Sequence, residues 1–199
     1  MPDYCGVLLA GGQSSRMGTD KALLNLGGLK TVQWVDERLR KVTDQRVIIT
    51  NRKERFSFVD IPSYPDVFEG EGPMAGLHAA IHYRSSDYYL LSACDTPFLS
   101  PHVYAVLKQQ VAGHDIAIPV FNGKFHPMSG VYSAEVYKKT GELLKQGKRS
   151  MKALFDEADT VFVDHFPSMD KVELERHFFN MNYPSDYEKA QEIVKIIKS

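Results

Sequence analysis

A chain of 199 residues with 43% hydrophobic composition is long enough to bury one good core, and one domain over 1–199 is the expectation. Its 24 Lys+Arg against 25 Asp+Glu leave no electrostatic footprint for a long nucleic acid or an anionic membrane, so a small molecule or a protein is the expected partner. Two cysteines, Cys5 and Cys94, both inside apolar runs, read as buried small hydrophobes rather than a metal pair.

Met1-Pro2-Asp3 leads straight into Cys5-Gly6-Val7-Leu8-Leu9, a buried strand, with no signal-peptide pattern before it. No apolar run approaches the roughly 18 residues that span a bilayer. A cytoplasmic location is therefore expected. The strand stops at Gly11-Gly12, and a polar loop follows that carries Arg16 and Lys21. Glycine lets backbone N–H groups approach an anion, and two cations offset phosphate charge. This reads as a triphosphate-binding loop, or, without its two cations, as a plain turn. It is not a P-loop, because Lys21 is followed by Ala22, and adjacent glycines exclude the dinucleotide pattern.

After a turn at Gly27-Gly28, Thr31 is placed to cap a helix with Val32, Val35, Leu39 and Val42 on its inner stripe. Arg46 to Thr50 reads as a second strand, and the stretch from Asn51 to Pro65 is mixed. Asp66 opens a loop through Glu69-Gly70-Glu71-Gly72, and Pro73 suits the first position of a helix burying Met74, Leu77 and Ile81. Tyr88 to Cys94 is a buried strand that ends at Asp95. Ser100-Pro101 starts a helix with Val103, Val106, Leu107 and Val111 inside.

Asp115 to Val120 is another strand, and Asn122-Gly123 marks a hairpin. Helices are predicted over 133–144 and 150–157, with a late edge strand at Val161-Phe162-Val163. Ser185-x-x-Glu188 reads as a capping box for a last helix through Ile197. The alternation of strand and helix up to about residue 120 predicts an α/β fold: three layers, α/β/α, around a mostly parallel twisted sheet with an added antiparallel hairpin. There is no internal repeat, low-complexity tract or linker.

In open parallel sheets ligands sit beyond the carboxyl ends of strands. Three segments fall there: Gly11 to Lys21, Asp66 to Gly76, and Asp95-Thr96-Pro97. Asp95 either caps the turn that follows or holds Mg²⁺, a hard cation that takes few protein oxygens plus substrate phosphates. Asp66 is either a surface carboxylate or an acceptor for the N1–H and N2–H₂ edge of guanine.

The opening segment, Leu9-Ala10-Gly11-Gly12-Gln13-Ser14-Ser15-Arg16-Met17-Gly18-Thr19-Asp20-Lys21, closely resembles the L-A-G-G-x-x-x-R-M-G-x-D-K signature of nucleotidyltransferases with a Rossmann-like fold. Within that superfamily the chain looks most like the molybdenum cofactor guanylyltransferases. The resemblance extends through Asp66, the G-P-x-A-G element at Gly72-Pro73-Met74-Ala75-Gly76, the C-D-T-P segment at Cys94 to Pro97, and N-x-N-x-P at Asn180 to Pro184, with Tyr183 where threonine is usual. Weaker matches are His126-Pro127 and Gly147-Lys148-Arg149.

The resemblance implies transfer of GMP from GTP to the phosphate of molybdopterin, with pyrophosphate released. It implies Arg16, Lys21 and Asp95 as catalytic residues and Leu9, Ala10, Gly11, Lys21, Asp66 and Asp95 as nucleotide-binding. Asp95 becomes a Mg²⁺ ligand, with Asn182 a candidate second one. Arg149 is a candidate contact for the pterin phosphate or a solvated arginine, and His126 reads as structural. GTP and molybdopterin are the implied partners, with molybdoenzymes or other cofactor-biosynthesis proteins further candidates. The rival readings are a cytidylyl- or sugar-phosphate nucleotidyltransferase and a non-catalytic carrier of GTP or molybdopterin.

Overall fold

The computed structural model describes residues 1–11 and 20–198. Arg16, with the rest of the loop from 12 to 19, lies outside the described residues.

The apolar run after Tyr4 forms β1 (Tyr4–Leu9) at the centre of the main sheet. It pairs in parallel with β4 (Gln45–Ile49) on one side and with β6 (Tyr88–Ala93) on the other. Burial on both faces is why their inner stretches, 5–9, 47–49 and 89–91, carry no polar residue and do not alternate. The two-residue β5 (Ser63–Tyr64) lies outside β4, also parallel.

Beyond β6 the direction changes. β9 (Val131–Ser133) runs antiparallel to both β6 and β7 (Ile116–Phe121). β10 (Thr160–Val163) closes that edge parallel to β7, and β8 (Lys124–Phe125) folds back on β7 through Asn122-Gly123, both with positive φ. The order is β10-β7-β9-β6-β1-β4-β5, with β8 on β7. A separate small sheet pairs β2 (Asn25–Leu26) with β3 (Leu29–Lys30) across the predicted glycine turn.

Successive residues of β1 serve opposite faces, as the pleat requires. Leu8 packs with Val32, Val35 and Leu39 of α1 (Thr31–Leu39) and with Val103, Tyr104 and Leu107 of α3 (Pro101–Gln110). Val7 and Leu9 face α2 (Pro73–Tyr83), α4 (Tyr137–Lys145) and α5 (Met151–Glu157), through Met74, Leu77, Leu143 and Leu154. The expected three layers are thus present. A third cluster joins Leu26, Trp34 and Met181 to Ala190 and Val194 of α7 (Pro184–Lys198).

Several local expectations need correction. Thr31 is the first helical residue, not the cap: its hydroxyl donates to the Leu24 carbonyl at 3.1 Å, while the Lys30 N–H donates to Gln33 Oε1 at 2.8 Å. The helix predicted from Ser133 starts at Tyr137, because Val131–Ser133 fills the gap between β6 and β7 and pairs with both. A seven-residue helix, α6 (Lys171–His177), was too short to show a period; Asp170 caps it, accepting from the Glu173 N–H at 2.7 Å. The last helix begins at Pro184, so the box at Ser185 does not form. Instead Asp186 reaches back and accepts from the N–H groups of Asn182 and Tyr183, both at 2.9 Å.

Both cysteines are free, Cys5 buried and Cys94 half-buried. Among the described residues no helix is long and apolar enough to cross a membrane.

Candidate active site

From β1 the chain moves outward to β4 and β5, then returns to place β6 on the other side of β1. The strand order therefore reverses between β1 and β6, and a crevice opens there beyond the carboxyl ends. Gly11 follows β1, Cys94-Asp95 follows β6, and Thr50-Asn51 follows β4; all line one cleft of about 620 Å³. Leu9, Ala10, Lys21 and Asp66 line it too, so the six residues expected to bind nucleotide meet in one place.

The turn after β6 is closed by Thr96, whose N–H and hydroxyl both donate to the Ala93 carbonyl, at 3.3 and 2.7 Å. Asp95 is thereby free of the capping role and turns its carboxylate to the cleft. Its partner is Lys21, whose Nζ lies 3.3 Å from Asp95 Oδ2 and donates to Asn182 Oδ1 at 2.8 Å. The two charged side chains are only 15% and 22% exposed, which shields the pair from most of the solvent.

Each member is fixed by its backbone. Lys21 opens a single 3₁₀ turn, Lys21–Leu23, capped by Asp20, which accepts from the Ala22 N–H at 3.1 Å and from Arg55 at 2.7 Å. Asn182 is held because the Met181 N–H donates to the Asp95 carbonyl at 3.0 Å and its own N–H is taken by Asp186. The N-M-N-Y-P segment thus reaches the site through Asn182, 161 residues from Lys21 in sequence.

Asp66 sits on the far side with Asn51, a cleft residue that sequence reasoning missed. Burial raises the Asp66 carboxyl above the usual carboxylate value, the Asn51 hydrogen bond opposes this, and Glu69 adds to the rise. The position of Asn51, just past β4, was the available signal. Arg52 and Met128 are further lining residues that the sequence did not single out.

The G-P-x-A-G element is built by packing. Gly72, at φ +77°, is the N-cap of α2 and Pro73 its first residue. A Cβ on Gly76 would lie 2.7 Å from Leu9 Cδ2, so glycine lets α2 come this close to β1 without displacing the Leu9 side chain. Arg149 pairs with Glu71 of the loop leading into α2. His126 does not line the cleft; its ring packs 4.2 Å from that of Phe178, and burial lowers its pKa. Burial also pushes the Cys94 thiol far above its ordinary value, with Asp95 adding to the effect.

An open, largely parallel sheet with a cationic and carboxylate-bearing cleft at its switch point is the architecture of a nucleotide-binding α/β enzyme. Comparison with known proteins is specific. The family model described as "MobA-like NTP transferase domain" matches residues 6–161. A probable molybdenum cofactor guanylyltransferase of Carboxydothermus hydrogenoformans is 29% identical, covering 98% of this chain and 99% of its own, and one from Bacillus cereus is 32% identical over 96% and 97%. The crystal structure of molybdopterin-guanine dinucleotide biosynthesis protein A from Archaeoglobus fulgidus superposes with a TM-score of 0.83 at 26% identity, covering 96% of this chain and 99% of that one. The chain belongs to the MobA-like NTP transferase family, and it is a nucleotidyltransferase.

Proposed function

We propose that the chain, acting as one nucleotidyltransferase domain over 1–199, transfers GMP from GTP to the phosphate of molybdopterin, giving molybdopterin guanine dinucleotide and pyrophosphate. The observation that carries this reading is the meeting of Lys21 and Asp95 at the β1/β6 switch, opposite Asp66, in a cleft of about 620 Å³, with Asn182 bonded to Lys21 at the cleft's margin. That volume is typical of small-molecule sites, roughly 300–1,000 Å³.

Nucleotidyltransferases of this family generally use a divalent metal, and Mg²⁺ is the proposed ion. The donor set fits: a carboxylate and an amide oxygen are hard ligands, and both already hold a cationic group, the Lys21 ammonium. Among the described residues no cluster of three or more His, Cys, Asp or Glu could cage a metal, which suits an ion completed by substrate phosphates. Asp95 and Asn182 would hold it. When bound, it neutralises charge that accumulates on the phosphates during transfer.

The acceptor phosphate is already an anion, so no side chain has to activate it, and the difficulty is repulsion and alignment. One of its oxygens forms a bond to the α-phosphorus of GTP while the bond to the β-phosphate oxygen breaks, and the electron pair leaves with pyrophosphate. Lys21 offsets charge on the triphosphate, as does Arg16. Backbone N–H groups from Gly11 onward approach the phosphates; the Ala10 N–H is held by the Ile49 carbonyl at 3.0 Å, and Leu9 packs behind them. Asp66 accepts from the guanine edge.

The test is pyrophosphate release by purified protein with each nucleoside triphosphate, Mg²⁺ and molybdopterin, followed by product mass. GTP-dependent product supports the reading. Preference for CTP or UTP assigns the chain to a sister chemistry, and binding without pyrophosphate release makes it a carrier.

A further inference from the structure

The Lys21 ammonium is not waiting in solvent for a phosphate. It sits 3.3 Å from Asp95 Oδ2 and 2.8 Å from Asn182 Oδ1, the two oxygens proposed above to take a divalent cation. Both are held from behind: Asp95 by the turn that Thr96 closes, Asn182 by Met181 and Asp186. A cation and an ammonium cannot share two fixed oxygens, since each would lose ligands and the two would repel.

We propose that Lys21 occupies, in the nucleotide-free protein, the divalent-cation position between Asp95 and Asn182, so that the metal enters only with a triphosphate that draws Lys21 away. This rests on the reading of Asp95 and Asn182 as the metal-holding pair. Chemically it is an exchange of partners. A triphosphate offers the ammonium several anionic oxygens, which charge-assisted hydrogen bonds favour over a single carboxylate and a neutral amide. The two protein oxygens released are then available to the metal carried in with the phosphates. The consequence is an order of assembly: free metal alone finds the site filled, and the loaded site forms only around the nucleotide.

The experiment is Mn²⁺ binding to nucleotide-free protein, read by the loss of the free-ion electron paramagnetic resonance signal. Wild type should bind Mn²⁺ weakly, and Lys21→Met should bind it at least tenfold more tightly at Asp95. Lys21→Met/Asp95→Asn should lose that gain. Arg52→Ala removes a positive charge lining the same cleft and should change affinity by less than threefold. Equal gains in Arg52→Ala and Lys21→Met would overturn the inference in favour of general electrostatics, and no gain in Lys21→Met would overturn it outright. Retention of the gain in the double variant would instead overturn the metal-holding reading.

A second measurement needs no change at Lys21. With EDTA present, inorganic tripolyphosphate added to ¹⁵N-labelled wild type should shift the Asn182 side-chain amide resonances, assigned by their loss in Asn182→Ala. Resonances that stay in place at saturating tripolyphosphate would mean that Lys21 does not leave, and the inference fails.

Discussion

Asn51 and Asp66 hold each other reciprocally: Asn51 Nδ2 donates to Asp66 Oδ2 at 3.2 Å, and the Asp66 N–H donates to Asn51 Oδ1 at 2.9 Å. The amide holds the carboxylate of Asp66, which lines the cleft. A carboxylate so placed favours guanine, whose N1–H and N2–H₂ are adjacent donors, over adenine, which lacks that pattern. Hydrogen bonds to a charged group contribute about 1.5–3 kcal/mol. Asp66→Ala should therefore weaken GTP binding by about tenfold to a hundredfold while barely altering ATP binding, as measured by titration calorimetry. Parallel losses for both nucleotides would end the role of Asp66 in base selection.

Asp95→Ala and Lys21→Ala should each lower turnover with GTP, Mg²⁺ and molybdopterin by more than tenfold while the fold survives. Loss of one preorganised charge partner in a shielded site costs on the order of 3 kcal/mol. Both residues lie in the cleft wall, away from the packed clusters on the sheet faces, so far-ultraviolet circular dichroism should not change. Near-normal turnover in both variants would remove them from the chemistry.

Much of this was legible in the chain. The central strands β1, β4 and β6 each carry an apolar run, and the residues that follow two of them, Gly11 and Asp95, stood out because the runs stop there. Asn51 follows the third but was hidden in a stretch with no period. The strand Val131–Ser133 escaped the reading, and the predicted helix took in Ser133, because three buried residues carry no periodicity of their own; pairing on both edges, a tertiary fact, makes them a strand. The Lys21–Asn182 contact joins residues 161 apart, a distance no local pattern spans. The capping errors at Thr31 and Ser185 share one cause. In each case a side chain from the helix's own first turn, Gln33 or Asp186, takes the backbone N–H groups at its start.

Gly76→Ala tests the packing that shapes the cleft. The added Cβ would meet Leu9 Cδ2 at 2.7 Å and Cδ1 at 3.1 Å, and Leu9 is itself packed in the core on that face. Overpacking of this kind costs about 1–3 kcal/mol. Better helix propensity in α2 returns about 1 kcal/mol. The net expectation is a loss of about 1 kcal/mol in urea unfolding, with weaker GTP binding because Leu9 also lines the cleft. An unchanged midpoint and unchanged affinity would show that Leu9 yields freely.

Acid sensitivity should centre on His177. Its ring is fully buried, its Nδ1 accepts from the Ser100 N–H at 2.8 Å, and its Nε2 is buried without a partner. Burial, with His126 nearby, lowers its pKa to about 3, so it is neutral in the folded protein. In the unfolded chain it titrates near 6.5. Because the folded value is depressed, the unfolded state binds the extra proton between the two. The stability is full above about pH 6.5 and falls as pH drops toward 3, by up to about 1.4 kcal/mol per pH unit. His78, lowered to about 4 by burial with His82 and Lys145 adding, contributes in the same direction over the upper part of that window. His177→Asn keeps an acceptor at the site and removes one titrating group. Urea unfolding at pH 7.5, 6.0 and 5.0 should show a steep decline in wild type and a shallower one in the variant, where His78 and His126, both lowered by burial, still contribute. Identical slopes would mean that His177 is not the group whose protonation unfolds the chain.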